Sequence, residues 1–207
     1  MPRVLITGFE RYGKEPINPT ERIALELNGQ VIGKALIYGL VLPVSYRSIK
    51  KMLPQVLADI DPDIVLSLGL SPQRTLVSIE RIALNYVFSK IPDNDGIIIE
   101  HKKIIDNGPL ALESTINVIE AANVMLKNGV PTTISYHAGT FLCNYVFYLI
   151  LYYSRNHKRR VGFIHVPYTH RDVVFMLRNK VNKNPPSIHY DLLVNAIKKL
   201  ILYLSEA

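Results

Sequence analysis

A lone cysteine near the start of a predicted helix is the first residue that could do chemistry. Cys143 is the only thiol in the 207 residues, and it follows a glycine turn at Gly139 that opens an apolar segment. With Thr140 as the N-cap of a helix over 140–153, Cys143 lies in the first turn, where free backbone N–H groups and the helix dipole favour a thiolate. The same N–H groups could stabilise an oxyanion. The alternative role is a small buried hydrophobe.

Two other polar side chains stand in strongly apolar segments. His165 lies near the end of a predicted strand over 161–166, and Glu80 lies within a predicted strand over 75–86. Burying an imidazole or a carboxylate is costly unless it is paired, so each needs a partner. Glu80 could instead form an ion pair with Arg81 or face water, and His165 could bond a backbone carbonyl. Together with Cys143 they supply the nucleophile, base and orienting group of acyl transfer.

Strand-length apolar runs alternate with segments of helical period along the chain. The helix signals include an N-cap at Asn18 followed by Pro19, and an N-cap at Ser45 before a helix that Pro54 is expected to disturb. The predicted strands are 3–9, 31–44 in two pieces, 63–70, 75–86, a hairpin over 97–105, 130–136 and 161–166. The predicted helices are 19–28, 45–60, 109–127, 140–153 and two at the C-terminal end, the second from near 187.

This alternation predicts an α/β fold with a mainly parallel central sheet and helices on both faces. No repeat, linker or low-complexity segment divides residues 1–207, so we expect a single domain. In such folds, ligands bind beside the carboxyl ends of the strands. The loops after those strands are therefore where the site is expected.

Composition excludes several other classes of protein. The chain is 48% hydrophobic and 20% charged, which is too apolar for a disordered chain. One cysteine excludes a disulfide framework and a multi-cysteine zinc site. No secretion signal is visible, and the longest apolar run, 141–153, is too short to cross a bilayer. We therefore expect a soluble, cytoplasmic protein with no membrane partner.

The net charge of +7 leaves nucleic-acid binding as an alternative function. The basic residues are mostly scattered in pairs, and only 157–160 form a denser cluster. A nucleic-acid-binding surface usually shows a basic stripe or a known module, and neither is present. No nucleic-acid partner is expected, and salt-dependent retention on DNA or RNA without amidase activity would support the alternative of a non-catalytic binding protein.

Several motifs together give the chain a resemblance to a known family. It resembles pyroglutamyl peptidase I, the cysteine peptidases that remove N-terminal pyroglutamate. The cysteine and histidine motifs are the most specific, and the matches run nearly from end to end. They are Ile6-Thr7-Gly8-Phe9-Glu10 with Asn18-Pro19, Leu42-Pro43-Val44, Glu80-Arg81 with Ala83 and Asn85, Ile91-Pro92-Asp93-Asn94, Ala138-Gly139-Thr140-Phe141-Leu142-Cys143-Asn144, and Gly162-Phe163-Ile164-His165-Val166-Pro167.

The resemblance implies an α/β/α sandwich and a thioester acyl-enzyme mechanism. Cys143 would be the nucleophile, His165 the general base and acid, and Glu80 the third member. The implied partners are peptides with N-terminal pyroglutamate, and the implied assembly is a homo-oligomer, often a tetramer. No metal or organic cofactor is required. The implied substrate-binding residues are Phe9 and Tyr12 beside the ring, the backbone near Leu70, Ile91, Phe141 and Leu142 in the pocket wall, Asn18 as a loop tether, and Lys90 near the oxyanion.

The departures from the family pattern lie near the expected substrate. Leu70 replaces a glutamine and Pro72 stiffens the loop that follows. Lys90 replaces an arginine and so keeps the charge without the planar fork. Tyr136 and His137 replace an Asn-Thr pair, and residues 112–115 replace an aromatic stretch. The expected triad is intact, and the differences concern substrate preference.

Two alternative enzymes share some of these residues. A cysteine amidase with the same fold and triad could act on another small cyclic or N-acyl group, and parallel assays on such amides would distinguish it. A metal hydrolase could use His137, Cys143 and His165, although these residues have no recognised ligand spacing. Activity that survives a chelator would count against the metal enzyme.

Overall fold

A computed structural model describes residues 1–13 and 15–206 of the chain. Its strands are β1 (Arg3–Phe9), β2 (Val31–Ile32), β3 (Ala35–Leu42), β4 (Ile64–Leu70), β5 (Val77–Glu80), β6 (Ile82–Leu84), β7 (Ala111–Glu113), β8 (Thr132–Ser135), β9 (Arg160–Val166), β10 (Tyr168–Thr169) and β11 (Ser187–Ile188). Its helices are α1 (Pro19–Leu27), α2 (Tyr46–Ile60), α3 (Val118–Lys127), α4 (Leu142–Ser154), α5 (His170–Arg178) and α6 (Tyr190–Glu206).

The central sheet has seven strands in the order β2-β3-β1-β4-β9-β5-β8. The strands β3, β1, β4 and β9 are parallel to one another. Strand β5 runs antiparallel to β9 and parallel to β8, the strand at the end of the sheet. The predicted α/β class with a mainly parallel sheet is therefore confirmed.

Two apolar layers cover the two faces of this sheet. The core on one face joins α1, α3 and α6 to side chains such as Ile6 and Leu66. The core on the other face joins α2 and α4 to the alternate side chains, such as Leu5 and Val65. Successive strand residues point to opposite faces, which is why these strands are apolar at nearly every position. The result is the expected α/β/α sandwich, with Cys143 on the face of α2 and α4.

The N-terminal caps of the first two helices are confirmed. Asn18 accepts a hydrogen bond from the Thr20 backbone N–H, and Ser45 accepts one from that of Ser48. Helix α2 continues through Pro54 without a break. The disturbance expected at this proline is therefore wrong.

The predicted helix over 109–127 is wrong in its first half. Helix α3 begins only after Asn117, which caps it, and residues 111–113 form β7 instead. The Ser114 hydroxyl donates to the Val161 carbonyl of β9, and the Thr115 hydroxyl donates to the carbonyl of Arg159, just before β9. These bonds hold the segment extended along the sheet and prevent helix formation.

Three other boundaries also differ from the prediction. The strand expected over 75–86 divides at Arg81, because β6 leaves the main sheet and pairs with β7. The expected hairpin over 97–105 is irregular, with a single bridge between Val87 and Lys102. Residues 187–188 form β11, so the last helix begins at Tyr190.

None of the helices in the described part of the chain has both the length and the hydropathy needed to span a bilayer.

Candidate active site

Cys143 is the second residue of α4, whose N-cap is Phe141. The expected cap, Thr140, instead donates its hydroxyl to the Phe88 carbonyl at 2.9 Å. Phe141 makes no side-chain capping bond, so the N–H groups of the first turn have no side-chain acceptor from the cap. The predicted place of Cys143 in the first helical turn is confirmed, with free N–H groups beside the thiol.

The position of the thiol depends on a glycine in the adjacent strand. A Cβ atom on Gly69 of β4 would lie 2.9 Å from Sγ of Cys143 and 2.9 Å from Cζ of Phe163. Both distances are far below ordinary van der Waals contact. Only glycine at this position leaves room for the sulfur against the sheet.

A buried asparagine holds the start of α4 in place. Asn144 accepts a hydrogen bond from the Leu84 N–H at 2.8 Å and donates to the carbonyls of Leu84 and Tyr86 at 2.9 and 3.0 Å. These bonds attach the residue after Cys143 to the segment at β6. They fix the direction in which the helix N-terminus points.

The strand pairing explains why His165 and Glu80 meet. In β9, His165 lies opposite Ser78 of β5, and Phe163 lies opposite Glu80. His165 and Glu80 therefore project from the same face of adjacent strands. Nδ1 of His165 is 2.7 Å from Oε1 of Glu80, and the Glu80 side chain is 0% exposed. The geometry leaves Nε2 of the ring available to a nucleophile or a leaving group.

The electrostatics of His165 favour the imidazolium form. Burial acts to lower its pKa, but the negative charge of Cys143 and then that of Glu80 outweigh it and raise the pKa of His165 from 6.5 to about 9. The thiol and the carboxylate thus both act on one imidazole. A thiol, an imidazole and a carboxylate that orients it are the groups that nucleophilic acyl transfer needs.

Arg74 is a site residue that the sequence did not predict. Its Nη1 donates to Oε1 of Glu80 at 2.8 Å, and its Nη2 is 3.4 Å from the Ser135 hydroxyl. Arg81, the expected alternative partner of Glu80, instead pairs with Glu113 at 3.0 Å. The buried Glu80 carboxylate indicates in the sequence that a positively charged partner is needed, since a buried charge requires a counter-charge, but it does not indicate which residue.

An apolar pocket of about 330 Å³ opens beside the thiol. Tyr12 and Phe141 both line it and form a tilted aromatic pair with each other, with ring centroids 5.2 Å apart. Seven of the eight predicted binding residues line it, together with Cys143 and three residues that were not predicted. The predicted residues are Phe9, Tyr12, Asn18, Leu70, Ile91, Phe141 and Leu142, and the additional ones are Glu15, Val44 and Pro72.

Lys90 is the predicted residue that the pocket does not include. Its side chain is exposed at the surface and does not line the pocket wall, although its neighbour Ile91 does. Its role near the oxyanion remains a prediction.

Glu15 brings a carboxylate to an otherwise apolar wall. It accepts hydrogen bonds from the Tyr168 hydroxyl and, at 2.7 Å to each oxygen, from the Lys183 ammonium. The Lys183 charge compensates the carboxylate locally. The pocket therefore suits a neutral ligand better than a charged one.

The loops that form the pocket are attached to one another by side chains. Asn94 donates to Oε1 of Glu10 at 3.0 Å and to the Arg11 carbonyl at 2.8 Å. Asp93 accepts from the Tyr46 N–H at 3.0 Å. Asn18 caps α1 and also donates to the Glu10 carbonyl at 3.0 Å, so both of its suggested roles are found.

The metal-hydrolase alternative finds no site in residues 1–13 and 15–206. No three histidine, cysteine, aspartate or glutamate side chains of this part of the chain are grouped as metal ligands. His137 is exposed, and its Nδ1 accepts a hydrogen bond from the Gly139 N–H at 3.2 Å. It therefore does not join Cys143 and His165 in a ligand set.

Comparison with known proteins gives one consistent result. The family model for pyroglutamyl peptidase matches residues 2–206. The pyrrolidone-carboxylate peptidase of Pyrococcus furiosus is 43% identical, and the alignment covers 96% of each chain. That of Bacillus subtilis is 36% identical, over 95% of this chain and 89% of the other. The solved structure of pyrrolidone carboxyl peptidase from Thermococcus litoralis superposes with a TM-score of 0.91 at 42% identity, over 100% of this chain and 96% of the other.

Proposed function

Because this chain belongs to the pyroglutamyl peptidase family, we propose that it hydrolyses the amide bond after an N-terminal pyroglutamyl residue through a thioester on Cys143. One observation carries the proposal. The Cys143 thiol lines the neutral, mostly apolar pocket. It helps to raise the pKa of the His165 imidazole, which bonds the buried Glu80 carboxylate at 2.7 Å. Nucleophile, base, orienting group and substrate pocket are thus contiguous.

In the first half of the proposed reaction, the Cys143 sulfur attacks the carbonyl that joins pyroglutamate to the next residue. The carbonyl oxygen gains negative charge, and the free N–H groups at the start of α4 are available to stabilise it. His165 then gives its proton to the leaving amine, the C–N bond breaks, and a thioester remains on Cys143. Glu80 stabilises the imidazolium and fixes the orientation of the ring.

Water completes the reaction. His165, now neutral, takes a proton from a water molecule as that water attacks the thioester carbonyl. The C–S bond breaks, pyroglutamic acid is released, and the thiolate–imidazolium pair is restored. This route requires no metal or organic cofactor.

The pocket is suited to a five-membered lactam. The lactam ring is neutral and flat, so it needs apolar walls, an acceptor for its N–H group and a donor for its C=O group. Phe9, Tyr12 and Phe141 supply aromatic walls, and the backbone at Leu70 is available for those hydrogen bonds. The Glu15 charge at the rim is already neutralised by Lys183.

We also propose that residues 1–207 form one catalytic domain, that the enzyme is a homo-oligomer, a tetramer by resemblance, and that it acts in the cytoplasm. The family match over residues 2–206 supports the domain assignment. Exposed apolar side chains on α5 at Val174, Phe175 and Leu177 are consistent with a subunit contact. Light scattering of the purified protein would measure the oligomeric state.

The decisive assay is release of aminocoumarin from pyroglutamyl-aminocoumarin by the purified protein. We expect turnover by the wild type, none by Cys143→Ala, and inactivation by iodoacetamide with one carboxamidomethyl group per chain. Appreciable turnover by Cys143→Ala would refute the cysteine mechanism. Faster turnover of another N-acyl amide would favour the related amidase.

A further inference from the structure

A second concave surface lies on the same face of the sheet as His165. It is a groove of about 550 Å³ over β5 and β8, at the end of the central sheet. Arg74 and Leu76 lie in the segment before β5 and form one wall. Tyr136 and His137 follow β8 and form another.

The strand register connects this groove to the catalytic residues. His165 of β9 lies opposite Ser78 of β5, and Ser78 lies opposite Thr133 of β8. Opposed residues in neighbouring strands present their side chains on the same face, so these three form a row across the sheet. Ser78 and Thr133 line the groove. Since neighbouring strands are about 4.8 Å apart, Thr133 lies roughly 10 Å from His165.

The apolar pocket lies on the other side of the nucleophile. Phe9 ends β1 and Leu70 ends β4, and both line that pocket. The sulfur of Cys143 packs on Gly69 of β4. Along the strand order β1-β4-β9-β5-β8, the sequence of features is therefore pocket, thiol, imidazole and groove.

We propose that this groove binds the leaving peptide, meaning the first residues after pyroglutamate. This rests on the proposed function. A substrate with its ring in the pocket and its carbonyl at Cys143 has its leaving amine at His165, and its chain then continues over Ser78 and Thr133. An extended chain advances about 3.4 Å per residue, so the roughly 10 Å to Thr133 accommodates about three residues.

The charge of the groove defines the kind of peptide it favours. The residues that line it include Arg74 and His137 and no carboxylate. Arg74 is 32% exposed; its Nη1 pairs with the buried Glu80 carboxylate at 2.8 Å, a carboxylate shared with His165, and its Nη2 makes a long contact of 3.4 Å to Ser135. Leu76 and Tyr136, 41% and 66% exposed, offer apolar surface. The groove therefore favours acidic over basic side chains in the second and third residues of the leaving peptide.

The test compares three substrates on three proteins. The substrates are pyroglutamyl-alanyl-glutamyl-alanine amide, the same peptide with lysine for glutamate, and pyroglutamyl-aminocoumarin, which has no extended leaving peptide. The proteins are wild type, Thr133→Glu and the neutral control Thr133→Gln. Thr133 is exposed on the end strand, so these changes leave the core and the triad untouched.

We expect the wild type to prefer the glutamate peptide by about fivefold in kcat/KM, and Thr133→Glu to shift that ratio about tenfold toward lysine. Thr133→Gln should keep the wild-type ratio. All three proteins should cleave pyroglutamyl-aminocoumarin at rates within about twofold, because the change acts only beyond the leaving amine.

The two proposals fail in different ways. No cleavage of pyroglutamyl-aminocoumarin by the wild type would refute the peptidase activity itself. Cleavage with an unchanged peptide ratio in Thr133→Glu, and also in a fourth protein, Leu76→Glu, changed in the segment before β5, would overturn the groove assignment alone. A changed oligomeric state with an unchanged ratio would overturn it as well, and would assign the groove to a contact between copies of the chain.

Discussion

Arg74 donates to the same carboxylate oxygen of Glu80 that bonds His165. The Arg74 Nη1 and the His165 Nδ1 lie 2.8 and 2.7 Å from Oε1 of Glu80, while Oε2, also buried, has no partner among the described residues. Two cationic groups therefore compete for one oxygen. On a substrate without an extended leaving peptide, we expect Arg74 to act through Glu80, by limiting how strongly this carboxylate stabilises the imidazolium.

Removing Arg74 should change the pH dependence of the reaction. In Arg74→Met the imidazolium of His165 loses a nearby positive charge, so its pKa should rise. We therefore expect the alkaline limb of the pH profile of kcat/KM to move to higher pH by about half a unit or more. Arg74→Lys should restore most of the wild-type profile. The matched control is Arg81→Met, because Arg81 pairs with the exposed Glu113. Identical profiles for Arg74→Met and Arg81→Met would contradict the positioning role.

The contribution of His165 to the stability of the protein should be lost as the pH rises through 9. The pKa of His165 is about 9 in the folded protein and ordinarily 6.5, so its charged form is favoured by folding. This stabilisation is fully present below pH 6.5 and is lost as the pH rises through 9. The rise in pKa from 6.5 to about 9, at about 1.36 kcal/mol per pKa unit, limits the stabilisation from His165 to about 3 kcal/mol.

Urea denaturation between pH 6 and pH 9.5 measures this loss of stability. We expect a smaller loss in Glu80→Gln, which still bonds the ring but lacks the charge. Cys143→Ala isolates the contribution of the thiolate. The wild-type loss minus the loss in Glu80→Gln isolates the part of the His165 contribution that depends on the carboxylate charge, and no difference between the two proteins would contradict it.

Gly69→Ala should impair catalysis more than folding. The new methyl group would lie 2.9 Å from the Cys143 sulfur and from the Phe163 ring, so one of them must move. We expect kcat to fall by tenfold or more, since small displacements of a reacting group are costly. Ser71→Ala, two residues further along, is the control. Wild-type kcat in Gly69→Ala would show that the contact is readily relieved.

The pocket should distinguish pyroglutamate from proline and glutamate. N-terminal proline lacks the lactam carbonyl and adds a charged amine, and glutamate adds two charges that would be desolvated without partners. We expect kcat/KM for the pyroglutamyl amide to exceed that for either of the others by about 10³-fold or more. Equal rates on prolyl and pyroglutamyl amides would overturn the assignment.

Leu70→Gln tests how the lactam is recognised. If the backbone at residue 70 makes the hydrogen bonds, the side chain that departs from the family pattern matters little, and kcat/KM should change only a few-fold. The measurement uses the same pyroglutamyl amide on both proteins. A kcat/KM for the pyroglutamyl amide that is much higher in Leu70→Gln than in the wild type would indicate that the wild-type pocket binds another substrate.

The class of the fold and the chemical types of the site residues could be predicted from the amino-acid sequence alone. Alternating apolar strands and helices require a sheet covered on both faces, because each strand buries side chains on both sides. The polar residues Cys143, His165 and Glu80 stood out because their surroundings are apolar. The cap at Asn18 and the turn at Ile91-Pro92-Asp93-Asn94 are local features, readable from neighbouring residues.

Contacts between segments that are distant in the sequence became known only from the folded chain. That β5 runs antiparallel to β9 places Glu80 beside His165, and no local pattern encodes this direction. The segment before Asn117 has residues compatible with a helix, yet its hydroxyl groups bond β9 and keep it extended. Arg74 reaches Glu80, and Lys183 reaches Glu15 across 168 positions of sequence. A charge in the sequence indicates that a partner is needed, and only the folded chain determines which residue is within reach.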